Sequence, residues 1–267
     1  MTTTAPTIYE ITVNGHLDDH WSDWFSDVTI QRRDDGTSRI TASMADQAQL
    51  HGLLAGLRDL NTDLISLRTT DSPAAPALTR TLHTSRLTLR PATATDADPT
   101  WTFRQRPEVN EWLTGCPSTI EGYRELFAQP DRLATTAMIS LGPDGEGPVI
   151  GDFMLRREDA WAQLEMTEEG RGAQAELGWV LDPAYTGRGY ATEAVIELLR
   201  FTFEELGVRR AVANCFLDNE SSCRLMERVG MRREGHAVRE SLHRSGQWLD
   251  TVTYALLAEE WTSTTRS

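Results

Sequence analysis

The residues best suited to chemistry are Thr186-Gly187-Arg188-Gly189-Tyr190-Ala191-Thr192-Glu193-Ala194. Two glycines two apart stand where a helix is about to begin, so backbone N–H groups can approach an anion closely. The helix N-terminus adds partial positive charge and Arg188 can add a full one. A pyrophosphate is the natural ligand. The apolar run Leu177-Gly178-Trp179-Val180-Leu181 before the loop reads as a strand, and residues 194–203 after it read as an amphipathic helix.

The common nucleotide loops do not fit. A P-loop needs Gly-Lys-Ser/Thr, and all 26 basic residues of this chain are arginine. A dinucleotide fold needs a third glycine, but Tyr190-Ala191-Thr192 follows Gly189. A second patterned segment lies further on, Leu217-Asp218-Asn219-Glu220-Ser221-Ser222, and runs through Cys223 and Met226 to Val229-Gly230-Met231.

Together these segments resemble the GNAT superfamily of acyl-CoA N-acyltransferases. Gly189 and Ala191 match the family's pyrophosphate loop, Gln/Arg-x-x-Gly-x-Gly/Ala, and Thr186 departs from its first residue. Asn219 and Ser222 match its Asn-x-x-Ser signature. Arg232-Arg233-Glu234-Gly235, Gly246-Gln247-Trp248-Leu249-Asp250, Tyr254-Ala255-Leu256-Leu257 and Glu260-Trp261 look like the Rim-type ribosomal-protein N-acetyltransferase branch. The resemblance covers residues 82–262 and not residues 1–70. It implies an α/β (α+β) fold with a mixed, splayed central sheet, and acetyl-CoA as cosubstrate lying where two parallel strands part. Gly187, Arg188, Gly189, Tyr190 and Ala191 would line the pyrophosphate. Val180 and Leu181 would offer backbone groups to the pantetheine amides, and Asn219 a side chain to the pantetheine arm.

Acetyl transfer to an amine needs a base for the ammonium proton, positioning of the thioester and a donor near the departing thiolate. The resemblance makes Glu176 the candidate base and Ser222 the candidate acid or thiol-side donor. The plainer alternatives are a strand glutamate in an ion pair or facing solvent, and a first-turn serine that only caps. Asn219 has a rival role as N-cap, and Asp218 reads as a cap alone. Cys223 reads as a small buried hydrophobe. His16-Leu17-Asp18-Asp19-His20 reads as a polar turn, and Trp21, Trp24 and Phe25 as an aromatic patch. Trp101, Trp112, Tyr123 and Phe127 read as core, with the resemblance placing their region over the acceptor site.

Net charge is −14. That disfavours nucleic acid as a partner and suits a cationic amine, although an acidic surface also serves solubility. Residues 1–6 show no signal-peptide pattern, and no apolar run is long enough to span a membrane, so a cytoplasmic location is expected. Three scattered cysteines, Cys116, Cys215 and Cys223, read as free thiols rather than a disulfide framework or metal site. No metal is expected.

Residues 1–70 read as a small α+β domain of unassigned role, with strands at 8–13, 28–32, 38–42 and 64–67 and a helix over 45–60. Asp34-Asp35-Gly36-Thr37 signals a hairpin, and Asp46 suits the helix's first turn. Residues 71–81, rich in Pro, Ala and Thr, read as a linker. In the second domain, 82–262, strands are expected at 87–90, 134–141, 149–156, 175–181 and 211–216, with two more at the end. Helices are expected at 96–106 and 119–128, and residues 168–172 as a polar loop. The leading expectation is an N-acetyltransferase acting on a protein N-terminal amine or a small-molecule amine in a ternary complex, with a homodimer possible. A non-catalytic acyl-CoA sensor is the alternative.

Overall fold

Alternating burial along the first strands sets the architecture of the N-terminal part. The computed structural model describes residues 7–17, 28–33, 36–44, 47–59, 62–70, 78–115 and 117–264, and the chain divides into two compact units, Met1–Pro73 and Ala74–Ser267. In the first unit β1 (Thr7–Asn14), β2 (Val28–Arg32), β3 (Thr37–Met44) and β4 (Leu64–Thr70) form an antiparallel sheet of order β2-β3-β1-β4, with helix α1 (Gln47–Asp59) between β3 and β4. Every second residue of β3 is buried, as a half-covered sheet requires. Ile11, Val13, Ile40 and Ala42 share a core with Leu50, Leu53 and Leu57, which stand at helical spacing on α1. Asp18, Asp19, His20, Trp21, Trp24, Phe25, Asp34, Asp35, Asp46 and Cys116 lie outside the described residues.

The second unit runs β5 (Leu82–His83), β6 (Leu87–Pro91), α2 (Ala97–Arg104), α3 (Pro107–Asn110), α4 (Ile120–Phe127), α5 (Pro130–Thr135), β7 (Thr136–Leu141), β8 (Val149–Glu158), α6 (Thr167–Gly170) and β9 (Gln174–Leu181). It continues through α7 (Tyr190–Arg200), β10 (Arg210–Phe216), α8 (Glu220–Arg228), β11 (Arg232–Leu242), β12 (Trp248–Leu257) and α9 (Ala258–Thr264). The strands form one sheet of order β11-β12-β10-β9-β8-β7-β6-β5. On one face Leu89, Phe153 and Leu177 pack with Val195, Leu198 and Leu199 of α7 and Met226 of α8. On the other, Met138 meets Ala97 of α2 and Tyr123 and Phe127 of α4.

Among the described residues one pairing in this sheet is parallel. β9 and β10 run together only from Gln174 to Glu176 against Arg210 to Val212. Beyond that point β9 stays paired to β8 through Leu181 and β10 stays paired to β12 through Phe216. The two strands therefore fork, giving the mixed, splayed sheet expected.

Several boundaries differ from the sequence reading. Leu78 is buried in the second unit's core, so the Pro-, Ala- and Thr-rich composition of residues 71–81 does not mark a linker along its full length. Helix α7 begins at Tyr190, directly on Gly189, because the glycine conformation rather than the apolar periodicity sets its start. Pro130 at the first helical position opens α5, where a strand was expected from residue 134. Residues 167–170 form the short helix α6, which overlaps the polar loop expected at 168–172.

Candidate active site

Gly187 and Gly189 both adopt positive φ, 75° and 81°. Side-chain-bearing residues are strained there, so glycine lets the chain turn sharply into α7 with its first N–H groups unpaired and outward. A Cβ at Gly187 would meet nothing within 4 Å, and one at Gly189 only Arg86 Nη2 at 3.5 Å. The space over the loop is open, and the donors around it suit a pyrophosphate. Tyr190 and Ala191 form the first turn of the helix, and Arg188 lies exposed with its guanidinium 5.7 Å from the Tyr185 ring centre.

Arg86 was not legible as a site residue. It donates from Nη1 to the Arg188 carbonyl at 3.0 Å and lies 4.7 Å over the Tyr190 ring. Its Nε donates to Glu193 Oε2 at 2.6 Å, while Thr84 Oγ1, Ser85 Oγ and the Arg86 N–H donate to Glu193 Oε1. Burial would push the Glu193 carboxyl up, but the hydrogen bonds from Thr84, Arg86 and Ser85 together hold it below its ordinary value. This clamp fixes α7's first turn to the chain entering β6 and brings a second guanidinium to the loop. Arg86 is separated from the loop by half the domain, so no spacing pattern announces it.

At the fork, Glu176 is the last β9 residue paired with β10. Arg156 Nη2 donates to its Oε2 at 2.5 Å and Asn214 Nδ2 to its Oε1 at 3.2 Å. Thr253 Oγ1 donates to Asn214 Oδ1 at 2.8 Å, which orients the amide so that its NH2 faces Glu176. The ion pair foreseen as the plainer alternative is thus present, at the very point where the strands part.

The backbone beyond Glu176 alternates between its neighbours. The Val180 carbonyl lies against Gly151 of β8, and Asp182 N donates to Ile150 O. Trp179 and Leu181 therefore turn their N–H and C=O groups to the open edge. The Leu181 backbone thus faces the opening as expected, whereas the Val180 backbone faces β8 and it is Trp179 whose groups face the opening.

Across the fork, Asn219 is the N-cap of α8, its Oδ1 accepting from Ser222 N at 3.2 Å and Ser221 Oγ at 2.8 Å. Capping occupies the oxygen and leaves the NH2 as the group able to meet a ligand. The cap is Asn219 and not Asp218, since Asp218 precedes the turn. Ser222 is half-buried in that turn. Trp112 leaves the early helices to pack with Phe216 and His243, ring centres 6.2 and 5.9 Å away. Tyr123 and Phe127 are fully core, and Trp101 packs on Tyr123 at 5.3 Å. His16 Nε2 hydrogen-bonds the Arg33 carbonyl.

A family model described as "Acetyltransferase (GNAT) domain" matches residues 86–232. The chain belongs to the GNAT acetyltransferase family. It is an N-acetyltransferase by that membership, and the family uses acetyl-CoA. The first unit matches, over residues 8–68, a model described only as a domain of unknown function. The chain is 41% identical to the uncharacterized N-acetyltransferase YnaD of Bacillus subtilis over 86 residues, which are 32% of this chain and half of that protein. It is 36% identical over 164 residues to the putative ribosomal N-acetyltransferase YdaF of the same organism, 60% of this chain and 83% of that one. The crystal structure of a GNAT-family acetyltransferase from Bacillus anthracis superposes with a TM-score of 0.56 at 27% identity, over 67% of this chain and 99% of that one.

Among the described residues no helix is long and apolar enough to cross a membrane, and no group of three potential metal ligands gathers.

Proposed function

We propose that this chain moves the acetyl group of acetyl-CoA to a primary amine by direct attack within a ternary complex. The observation that carries the reading is the fork: β9 and β10 part at Glu176, and the open edge of β9 leads straight to the glycine loop at the start of α7. Bound there, acetyl-CoA supplies an activated thioester carbonyl. The N–H groups of residues 187–191, with Arg86 and Arg188, hold the pyrophosphate. The open edges of Trp179 and Leu181 and the Asn219 amide hold the pantetheine arm.

Glu176, oriented by Arg156 and Asn214, accepts the proton that an ammonium must lose before it attacks. Ser222 donates to the sulfur as it takes up charge. The likeness to YdaF, named a putative ribosomal N-acetyltransferase, favours a protein amine as acceptor, which this reading takes to be an N-terminal amine. A small cationic amine is the second acceptor class, since the chain carries net charge −14. An amine panel with acetyl-CoA, including peptides of different N-termini and read by release of free thiol, tests the proposal. Thiol release that depends on a peptide amine is the expected result. Binding of acetyl-CoA without thiol release on any amine would make the chain a sensor and overturn it.

A further inference from the structure

Two thiols face each other beside the fork. Cys215 is the penultimate residue of β10, and Cys223 is the fourth residue of α8. Their sulfurs stand 3.7 Å apart, and both are free and half-buried. Cys215 lies opposite Val252 of β12, and both thiols pack on the core under α7 and α8. The chain between them turns through Leu217 and Asp218 and carries Asn219 and Ser222.

We propose that Cys215 and Cys223 form a redox-modification site, a dithiol that a hydroperoxide converts into an intrachain disulfide tying the end of β10 to α8. In the first step the peroxide O–O bond breaks, one sulfur takes the OH as a sulfenic acid, and its thiol proton leaves with the other oxygen as water or alcohol. In the second step the other sulfur displaces that hydroxyl. The S–S bond forms, the S–O bond breaks, and the hydroxyl leaves as water with the second thiol's proton. Two thiols lose two electrons, and the peroxide gains them.

The order follows from the surroundings. Burial first, then the neighbouring Cys223, push the Cys215 thiol up to about 12. Burial thus disfavours the Cys215 thiolate, which assigns the first oxygen to Cys223 and the resolving step to Cys215. A disulfide bond is about 2.05 Å long, so the sulfurs must draw together by roughly 1.6 Å from their present contact. Rotation about the Cys side chains and an inward shift of α8's first turn supply this. The shift moves the turn that holds Asn219 and Ser222. Resting on the function proposed above, acetyl-CoA affinity is then lower in the oxidised protein.

The test uses the full chain with Cys116→Ser, so that only this pair remains, and with unaltered protein beside it in case that variant folds poorly. After hydrogen peroxide, both thiols are expected to vanish together and the intact mass to fall by two hydrogens. A Cys215–Cys223 linked peptide should appear, and dithiothreitol should reverse all three. In Cys215→Ser, Cys223 is expected to gain oxygen instead. Persisting thiols, or oxygen gained without a linked peptide in the paired protein, would overturn the site. Calorimetry with acetyl-CoA is expected to give about tenfold weaker binding after oxidation, and equal affinity would overturn its hold on the fork. A reduced protein that binds no acetyl-CoA would fail the proposed function, while the peptide map still judges the dithiol on its own.

Discussion

Glu176 is the residue on which the proposed mechanism turns. Its carboxylate has two partners, Arg156 and Asn214, and two roles compete for it. An ion pair at this exposure is worth less than about 1 kcal/mol, so as a purely structural group its loss changes little. As the proton acceptor its loss removes about a hundredfold or more from the rate. Glu176→Gln keeps the shape and the Asn214 contact, so kcat is expected to fall by that factor with acetyl-CoA affinity near normal. A wild-type pH–rate profile in the variant would move the role to another group. The loop makes a second prediction at this scale. Gly189→Asp places a carboxylate where the phosphates are proposed to sit; a Cβ there finds room beside Arg86, and the strain of the positive φ is confined to this exposed loop. The fold is expected to survive and acetyl-CoA binding to weaken more than tenfold, about 1.4 kcal/mol. Unchanged affinity by calorimetry in a folded variant would remove the pyrophosphate from this loop.

The elements hold these residues in place through contacts that connect distant stretches of chain. The Arg86–Glu193 clamp pins α7's first turn, and its strength depends on the glutamate being ionised. The folded carboxyl is held below its ordinary value near 4.5, so the clamp stabilises the fold above that pH. The stabilisation fades as acid protonates Glu193. Glu193→Gln is expected to melt below wild type at neutral pH, with the difference closing as the pH falls below 4.5. A gap in Tm that persists at low pH would mean that packing, not charge, sets the clamp. The pair of Arg104 on α2 and Asp152 on β8 is more deeply buried, with side chains 10% and 4% exposed. Asp152→Asn removes the buried carboxylate that faces the Arg104 guanidinium and is expected to cost about 3–5 kcal/mol in chemical denaturation. Both contacts were invisible in the sequence because they join residues with no periodic relation. The strand–glycine–helix order and the Asn-x-x-Ser turn were legible because each is local. The shift from Val180 to Trp179 lies between these cases: the strand was legible, but which backbone groups face the gap depends on how β8 pairs. Leu78 failed for a similar reason, since an apolar residue inside a Pro/Ala-rich stretch gives no sign that a distant core claims it.

At the scale of the whole molecule, each unit has its own sheet and its own buried cluster. The glycine loop, the fork, the Asn219 turn and the Arg86 clamp all belong to the unit that begins at Ala74. An independent core is what a domain needs to fold alone, so a chain starting at Ala74 is expected to fold and bind acetyl-CoA. The starting point matters. Beginning at Thr79 removes Leu78, which is 1% exposed, and a lost buried leucine of this kind costs about 2–5 kcal/mol. The chain from Ala74 is therefore expected to be clearly more stable than the chain from Thr79, although the two differ by five residues of sequence. Comparing their denaturation midpoints alongside acetyl-CoA calorimetry separates the causes. Equal stability would place Leu78 outside the working core. Failure of the Ala74 chain to fold would show that the two units depend on each other. Normal cofactor binding with turnover lost only on large acceptors would assign residues 1–73 to acceptor recognition, giving the first unit a role in choosing which amine reaches Glu176.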